Sequence, residues 1–127
     1  KKHNNKKRFD GYAHIQCIHG DVSNLKLKDE SYGIVVSMNG FHAFPDKKKA
    51  FQETWRVLKP GGTFIGCFYI RGKSKRTDWL VNHILSKKGW FSPPFQTENE
   101  LKDILKKMYK QMDIHIDGSM VYFCCTK

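Results

Sequence analysis

The chain has 127 residues, of which 23 are Lys or Arg and 12 are Asp or Glu, so its formal net charge is +11. This length accommodates one domain, and 39% apolar with 13% aromatic residues is more core material than a disordered basic tail contains. The longest apolar stretch, from Phe64 to Ile70, is far short of the ~20 residues that cross a bilayer. Composition therefore predicts one packed domain without a spanning segment, and we expect no membrane partner.

Four cysteines, Cys17, Cys67, Cys124 and Cys125, form neither a C-x-x-C motif nor a disulfide framework. Each lies in an apolar run, where cysteine usually acts as a small buried hydrophobe. The first eight residues carry the charge of a signal peptide, but no apolar run follows them. We therefore expect reduced thiols, no metal site and a cytoplasmic protein.

Short β-branched and aromatic runs predict the strands. In chain order these are Ala13 to Ile18, Ile34 to Met38, Thr63 to Ile70, Ile114 to Ile116 and Val121 to Cys125. The second and third are apolar on consecutive positions, which predicts central parallel strands buried on both faces. Only three residues join the last two strands, so we expect them to form an antiparallel hairpin.

Helical patterns lie between these strands. One begins after Pro45 and ends by Leu58, ahead of Pro60, and a less regular one runs from about Thr77 to Lys88. The last starts at a capping box and carries one apolar stripe: Thr97-x-x-Glu100, then Leu101, Ile104, Leu105, Met108 and Met112. The alternation predicts an α/β domain whose mostly parallel sheet has helices on both faces.

Three stretches follow one another in a specific order. They are Ile18-His19-Gly20-Asp21-Val22, the run Leu25 to Val36, and Glu53-x-x-Arg56-Val57-Leu58-Lys59-Pro60-Gly61-Gly62-Thr63-Phe64. Together they resemble the class I S-adenosylmethionine-dependent methyltransferases, which have a Rossmann-like fold. The resemblance implies an enzyme that transfers a methyl group from S-adenosylmethionine.

The resemblance also implies where this chain falls in such a domain. The family's glycine-rich loop, an acidic residue followed by G-x-G, is not found in the sequence. Residues 1–127 are therefore expected to be a single partial methyltransferase domain, from the third strand to the C-terminal hairpin and incomplete at the N-terminus. Residues 71–97 are a candidate insertion that shapes the substrate pocket.

The resemblance assigns cofactor contacts to two segments that follow predicted strands: Gly20, Asp21 and Val22, and Asn39, Gly40 and Phe41. Asp21 would accept a hydrogen bond from the adenine amine, and the Val22 amide would face a ring nitrogen. Ligands of doubly wound sheets bind at the carboxyl ends of parallel strands, where both segments are predicted to lie. The alternative is that Gly20-Asp21 is simply a turn after a strand.

Aromatic residues are the candidates for the substrate side. His42 is a candidate catalytic base, because its unperturbed pKa is close to working pH. Phe44, Phe68, Tyr69 and Trp90 are candidates for shaping a pocket for an apolar acceptor. Methyl transfer mainly needs in-line approach and exclusion of water, so a dedicated base is not required and His42 can equally be a packing residue.

Two departures from the family pattern have consequences. Gly33 stands where the family usually has an acid. The family's first two strands lie between its third and fourth, so Ala13 to Ile18 has no neighbour on the side of Ile34 to Met38. An unpaired strand invites association, which makes a homo-oligomer a candidate state. We predict that this segment alone binds S-adenosylmethionine weakly or not at all and is inactive.

The charge raises an alternative function, a basic nucleic-acid-binding module or an RNA methyltransferase. Basic residues cluster at 1–8, 47–49 and 71–76 and on the last helix. No base-reading pattern accompanies them, and Ser92-Pro93-Pro94-Phe95 imitates the amino-directed methyltransferase motif only superficially. A small-molecule acceptor is therefore favoured. A noncatalytic remnant of the fold is the third alternative.

Overall fold

The structure is a computed structural model, and it describes residues 14–127. These residues contain three α-helices and four strands, together with a 3-10 turn at Phe41–Ala43 and a π-helical turn at Val81–Leu85. The strands and helices are β1 Tyr32–Met38, α1 Lys47–Val57, β2 Leu58–Tyr69, α2 Lys75–Leu80, α3 Glu98–Met108, β3 Gln111–Asp117 and β4 Met120–Thr126.

The four strands form one sheet in the order β1-β2-β4-β3. β1 pairs with β2 in parallel, with Met38 beside Cys67. β4 lies antiparallel to both β2 and β3. The α/β class and the antiparallel C-terminal hairpin predicted from the sequence are confirmed.

One face of the sheet carries the main core. Phe64 and Phe68 of β2 and Phe123 of β4 point to this face and pack against buried residues of α1 and α3, such as Phe51 and Leu101. The rings of Phe64 and Phe123 are 5.0 Å apart in an edge-to-face arrangement. We call this side of the sheet the covered face.

The opposite side, which we call the open face, is largely bare within residues 14–127. Ile34, Val36 and Met38 of β1 expose 63%, 56% and 62% of their surface, and Ile65 of β2 is also exposed. Only the carboxyl end of β2 is covered there, because Val81 packs against Tyr69. Helices do lie on both faces, but the prediction that β1 is buried on both sides is wrong, since α1 and α3 share the covered face.

Several predicted boundaries shift. Ala13 is outside the described residues, and residues 14–18 form no strand, so the prediction there is wrong; a strand needs a hydrogen-bonded neighbour. α3 has the predicted capping box but ends at Met108, because Tyr109 is extended, and Met112 therefore belongs to β3. The irregular helix begins at the Ser74 cap and changes to a π-helical turn at Val81.

The cysteines differ in exposure. Cys67 and Cys125 are buried, as expected, but Cys17 and Cys124 are exposed. Cys124 points to the open face, where no described element covers it. Burial and the neighbouring Cys124 raise the pKa of Cys125 to about 12.

Candidate functional site

A cavity of about 710 Å³ is lined by residues between Gln16 and Leu27. Gly20, Asp21 and Val22 all lie in its wall. A side chain added at Gly20 would meet nothing within 4 Å, so the space beside this backbone is open. Three of the predicted cofactor residues, which are consecutive in the sequence, therefore line one cavity.

Asp21 also makes a local turn. Its carboxylate Oδ1 accepts a hydrogen bond from the Ser23 amide at 2.8 Å, and its carbonyl accepts one from the Asn24 amide at 3.0 Å. These bonds fix the residue at the mouth of the cavity while its side chain remains exposed. The turn and a ligand-binding role are therefore compatible.

Arg56 of α1 holds the chain that leaves this cavity. Its guanidinium donates to the carbonyl oxygens of Leu25 and Leu27 at 2.9 and 2.8 Å and to the carboxylates of Asp29 and Glu53. Glu53 in turn accepts from the Leu25 amide at 2.7 Å. The guanidinium lowers the pKa of Glu53, so both groups stay charged.

We call this group the Arg56 clamp. The motif Glu53-x-x-Arg56 carried the family resemblance, but its role was missed, because the pairing of α1 with residues 25–29 is a tertiary contact. The signal was present in the acids at positions 29 and 53, since each can pair with an arginine.

Asn39 and Gly40 form a tight turn where β1 ends. Asn39 has a φ of 53° and donates its amide to the Cys67 carbonyl at 2.8 Å. A Cβ at Gly40 would lie 2.8 Å from Ser37 Oγ and 3.0 Å from the Phe44 ring, so a larger residue here would force these side chains to move. The turn directs the chain across the carboxyl ends of β1 and β2.

Phe41 and Phe68 lie in the core rather than in a cleft. They expose 1% and 0% of their surface, and their rings stack with 5.6 Å between centroids. Phe44 is partly buried and meets Phe41 edge-on at 5.2 Å. These three rings form the floor beneath the Asn39-Gly40 turn.

His42 packs against the 71–97 segment. Its ring stacks on Phe91 with 4.1 Å between centroids, and its carbonyl accepts from the Ser92 amide at 2.9 Å. Its Nδ1 is buried and has no hydrogen-bond partner among residues 14–127. Burial and the nearby Lys47 ammonium lower the pKa of His42, so the ring is held neutral at neutral pH.

Lys47 joins the same two segments. Its buried ammonium donates to the carbonyls of Phe44, at 3.0 Å, and Ser92. Burial lowers the pKa of Lys47. The lysine therefore ties the loop after β1 to the 71–97 segment.

Tyr69 and Trp90 have different surroundings. Tyr69 is buried against Phe91 and Phe95, and its hydroxyl donates to the Asp78 carboxylate. Burial raises the pKa of Tyr69. Trp90 is 60% exposed, with the Lys88 ammonium 5.1 Å from its ring centroid. Phe91 therefore contacts both Tyr69 and His42. We call His42, Tyr69, Phe91 and Phe95 the aromatic group, and Trp90 lies outside it.

Within residues 14–127, no group of three or more His, Cys, Asp or Glu side chains comes together as a metal ion would require. Among the helices of the same region, none is long and apolar enough to cross a membrane.

The sequence matches a known family. The model of the methyltransferase domain family covers residues 1–66. An uncharacterized chloroplastic methyltransferase of Arabidopsis thaliana is 27% identical over 124 residues, which make up 97% of this chain and 35% of the relative. A demethylmenaquinone methyltransferase of Staphylococcus epidermidis is 38% identical over 60 residues, 47% of this chain and 25% of the relative.

A third relative is the phthiotriol/phenolphthiotriol dimycocerosates methyltransferase of Mycobacterium leprae, 26% identical over 79% of this chain and 37% of its own length. The chain thus spans between a quarter and two fifths of the length of these three relatives.

Solved structures share the fold. An S-adenosylmethionine-dependent methyltransferase from Thermotoga maritima superposes with a TM-score of 0.70 at 22% identity, over 85% of this chain and 62% of that one. A Haemonchus contortus phosphoethanolamine N-methyltransferase, solved with S-adenosylhomocysteine, superposes with a TM-score of 0.60 at 20% identity, over 75% of this chain and 22% of that one.

Proposed function

This chain belongs to the methyltransferase domain family and has the Rossmann-like fold of class I S-adenosylmethionine-dependent methyltransferases, and from this premise we propose that it takes part in methyl transfer to a small-molecule acceptor. The observation that carries the proposal is the cavity in which Gly20, Asp21 and Val22 meet, beside a loop fixed by the Arg56 clamp.

The residues of this cavity fit the adenine end of S-adenosylmethionine. The exposed Asp21 carboxylate supplies an acceptor for an exocyclic amine, the Val22 amide supplies a donor, and the open space at Gly20 admits a planar ring. Asn39, Gly40 and Phe41 would contribute backbone atoms at the end of β1, since the Phe41 ring is in the core. When bound, the cofactor supplies an electrophilic methyl group on a sulfonium.

We place the acceptor beside the aromatic group. Residues 71–97 provide its wall, because Phe91 and Ser92 contact the loop after β1. Phe44 and Tyr69 would bound an apolar acceptor, Phe68 would support them from the core, and Trp90 would stand at the rim. The names of two relatives specify small molecules as acceptors, which supports this class of acceptor.

His42 is the proposed proton acceptor. The neutral ring, whose Nδ1 has no hydrogen-bond partner in the described part of the chain, would take the proton that an acceptor hydroxyl or amine loses as its oxygen or nitrogen bonds to the methyl carbon. The methyl–sulfur bond breaks in the same step, and its electrons stay on sulfur. Stacking on Phe91 would hold the ring in place for this role.

Three cations of the basic clusters are already engaged with acids of α3, so these three contribute little to a nucleic-acid interface. Lys73 and Lys102 pair with Glu98, and Arg71 pairs with Glu100. Such engaged cations have less to gain from phosphate.

Saturation-transfer NMR on S-adenosylhomocysteine tests the proposal. We expect transfer from the chain to the adenine protons, and Asp21→Asn to weaken binding by about tenfold, because a charged acceptor is lost. Asp103→Asn, an exposed carboxylate on α3, is the matched control and should change nothing. Equal effects of the two variants would refute the adenine site.

A further inference from the structure

Residues 74–90, which comprise α2, the π-helical turn and the residues up to Trp90, form a segment with two contrasting sides. The inward side contains Asp78, Val81 and Leu85. The Asp78 carboxylate accepts from the Tyr69 hydroxyl and from the Gly72 amide, and Val81 is buried. We call residues 74–90 the amphipathic segment.

Its outward side is apolar. On the helix, Trp79 exposes 58% of its surface, and Leu80 and Ile84 are also exposed; Trp90, which follows the helical turns, exposes 60%. Trp79 stacks on His83 at 4.9 Å, which holds the indole on the outer surface of the helix. Large apolar groups gathered on one exposed side of a helix mark an interaction surface.

Cations flank this apolar side at both ends. Lys75 and Arg76 precede it and Lys87 and Lys88 follow it, and all four are exposed. No salt bridge engages any of them within residues 14–127. The segment's one acid, Asp78, is turned inward, so no carboxylate of the segment offsets the charge of these four cations.

We propose that the outward side of the amphipathic segment docks on the surface of an anionic lipid bilayer. Tryptophan is favoured at the boundary between headgroups and acyl chains, and leucine and isoleucine can insert just below it. Lysine and arginine at the same level attract anionic headgroups. Lys88 lying over Trp90 places the charge next to the indole that would insert.

This partner fits better than an RNA. Phosphates would use the four cations but would leave Leu80 and Ile84 without a role. The expectation that the chain has no membrane partner rested on the absence of a spanning stretch, and docking at the surface requires none.

The position of the segment also matters. It leads directly into Phe91, which stacks on His42. A docked chain would therefore hold the aromatic group close to the lipid surface, where an apolar acceptor dissolved in the bilayer can reach it. Docking itself does not depend on methyl transfer, since it requires neither cofactor nor acceptor.

Vesicle sedimentation with the 127-residue chain tests the proposal. We expect binding to phosphatidylcholine vesicles that contain about a third phosphatidylglycerol, and at least about tenfold weaker binding to phosphatidylcholine alone. Trp79→Ala with Trp90→Ala should weaken binding to the anionic vesicles by at least about tenfold. Both indoles are largely exposed, so the far-ultraviolet circular dichroism and thermal midpoint should be unchanged.

Charge-matched variants locate the surface. Lys87→Gln with Lys88→Gln should weaken binding by about tenfold, whereas Lys106→Gln with Lys107→Gln removes the same charge from α3 and should change it by less than about twofold. Equal losses from the two pairs would indicate attraction by net charge alone and would overturn the proposal.

The open face supplies the other control, since it is also apolar. Ile34→Thr with Val36→Thr should leave vesicle binding unchanged. Loss of binding in that variant, with retention in the tryptophan variant, would place the lipid contact on the sheet and refute docking through the amphipathic segment. Binding to RNA with a steep salt dependence, and none to vesicles, would refute it as well.

Discussion

The two faces of the sheet are both rich in apolar residues, but they differ in how far those residues are buried. On β2, Phe64 is fully buried on the covered face, while the next residue, Ile65, is exposed on the open face. β1 repeats the contrast, since Val35 packs against the main core and Val36 is 56% exposed. The apolar sequence therefore shows which side chains of a strand can be buried. The placement of α1 and α3 determines which of them are buried.

The contrast is tested most strongly by substituting one residue on each face. Phe64→Ala should lower the free energy of unfolding by about 3–5 kcal/mol, because its ring contacts Phe41, Phe51 and Phe123. Val36→Thr should change it by less than about 0.5 kcal/mol. Urea unfolding followed by circular dichroism measures both, and a comparable loss for Val36→Thr would mean that the open face is packed in solution.

Two glycines on neighbouring strands sharpen the comparison. A Cβ at Gly66 would lie 2.3 Å from the Phe123 ring on the covered face, so Gly66→Ala should cost at least about 1–3 kcal/mol. Gly33→Ala meets nothing within 4 Å and should be close to neutral. Thermal unfolding of the two variants measures both changes in stability. A neutral Gly66→Ala would contradict the packing of Phe123 over β2.

Disruption of the Arg56 clamp should have a smaller effect, on the local stability of residues 25–29. Arg56→Lys cannot reach the carbonyls of Leu25 and Leu27 together with the carboxylates of Asp29 and Glu53, so about 1–2 kcal/mol of local stability should be lost. Hydrogen exchange should accelerate at the Leu25 amide and its neighbours. Arg76→Lys, at an exposed arginine without an ion pair, should leave these amides unchanged, and protection of residues 25–29 that survives in Arg56→Lys would contradict the clamp.

The smallest expected effect is on the pH dependence of the free energy of unfolding. The folded state lowers the pKa of His42, so the folded protein binds fewer protons than the unfolded chain in mildly acidic solution. The stability that the protein gains by keeping His42 neutral is fully present above the unfolded pKa of 6.5. It is lost as the pH falls through that value to the folded pKa. His42→Gln should flatten this part of the stability profile, and an unchanged profile would show that the ring is not held neutral.

The sequence predicted the features that depend on local pattern. The capping box of α3, the end of α1 before Leu58 and the C-terminal hairpin follow from residue types at fixed spacing. The exposure of β1 could not be predicted, because it depends on where other elements pack. Met112 was assigned to the α3 stripe because its spacing continues the helical period, and only the extended Tyr109 ends the helix before it.

The candidate site divides in the same way. Gly20, Asp21 and Val22 were predicted as cofactor contacts and line one cavity, and cofactor binding there stays a prediction. The core positions of Phe41 and Phe68 and the stacking of His42 on Phe91 are tertiary outcomes that spacing alone does not specify. The Arg56 clamp was missed for the same reason.

An amide chemical-shift map of the chain with excess S-adenosylhomocysteine is the most direct measurement of where the cofactor binds. We predict shifts at Gly20, Asp21 and Val22, with smaller ones at Asn39 and Gly40, and a dissociation constant weaker than micromolar, because no glycine-rich loop is found in the sequence. A second cavity, of about 250 Å³, lies on the open face beside Ile65, Cys67 and Tyr122. Shifts confined to that cavity would contradict the assignment of the adenine site, and a micromolar constant would contradict the prediction of weak binding.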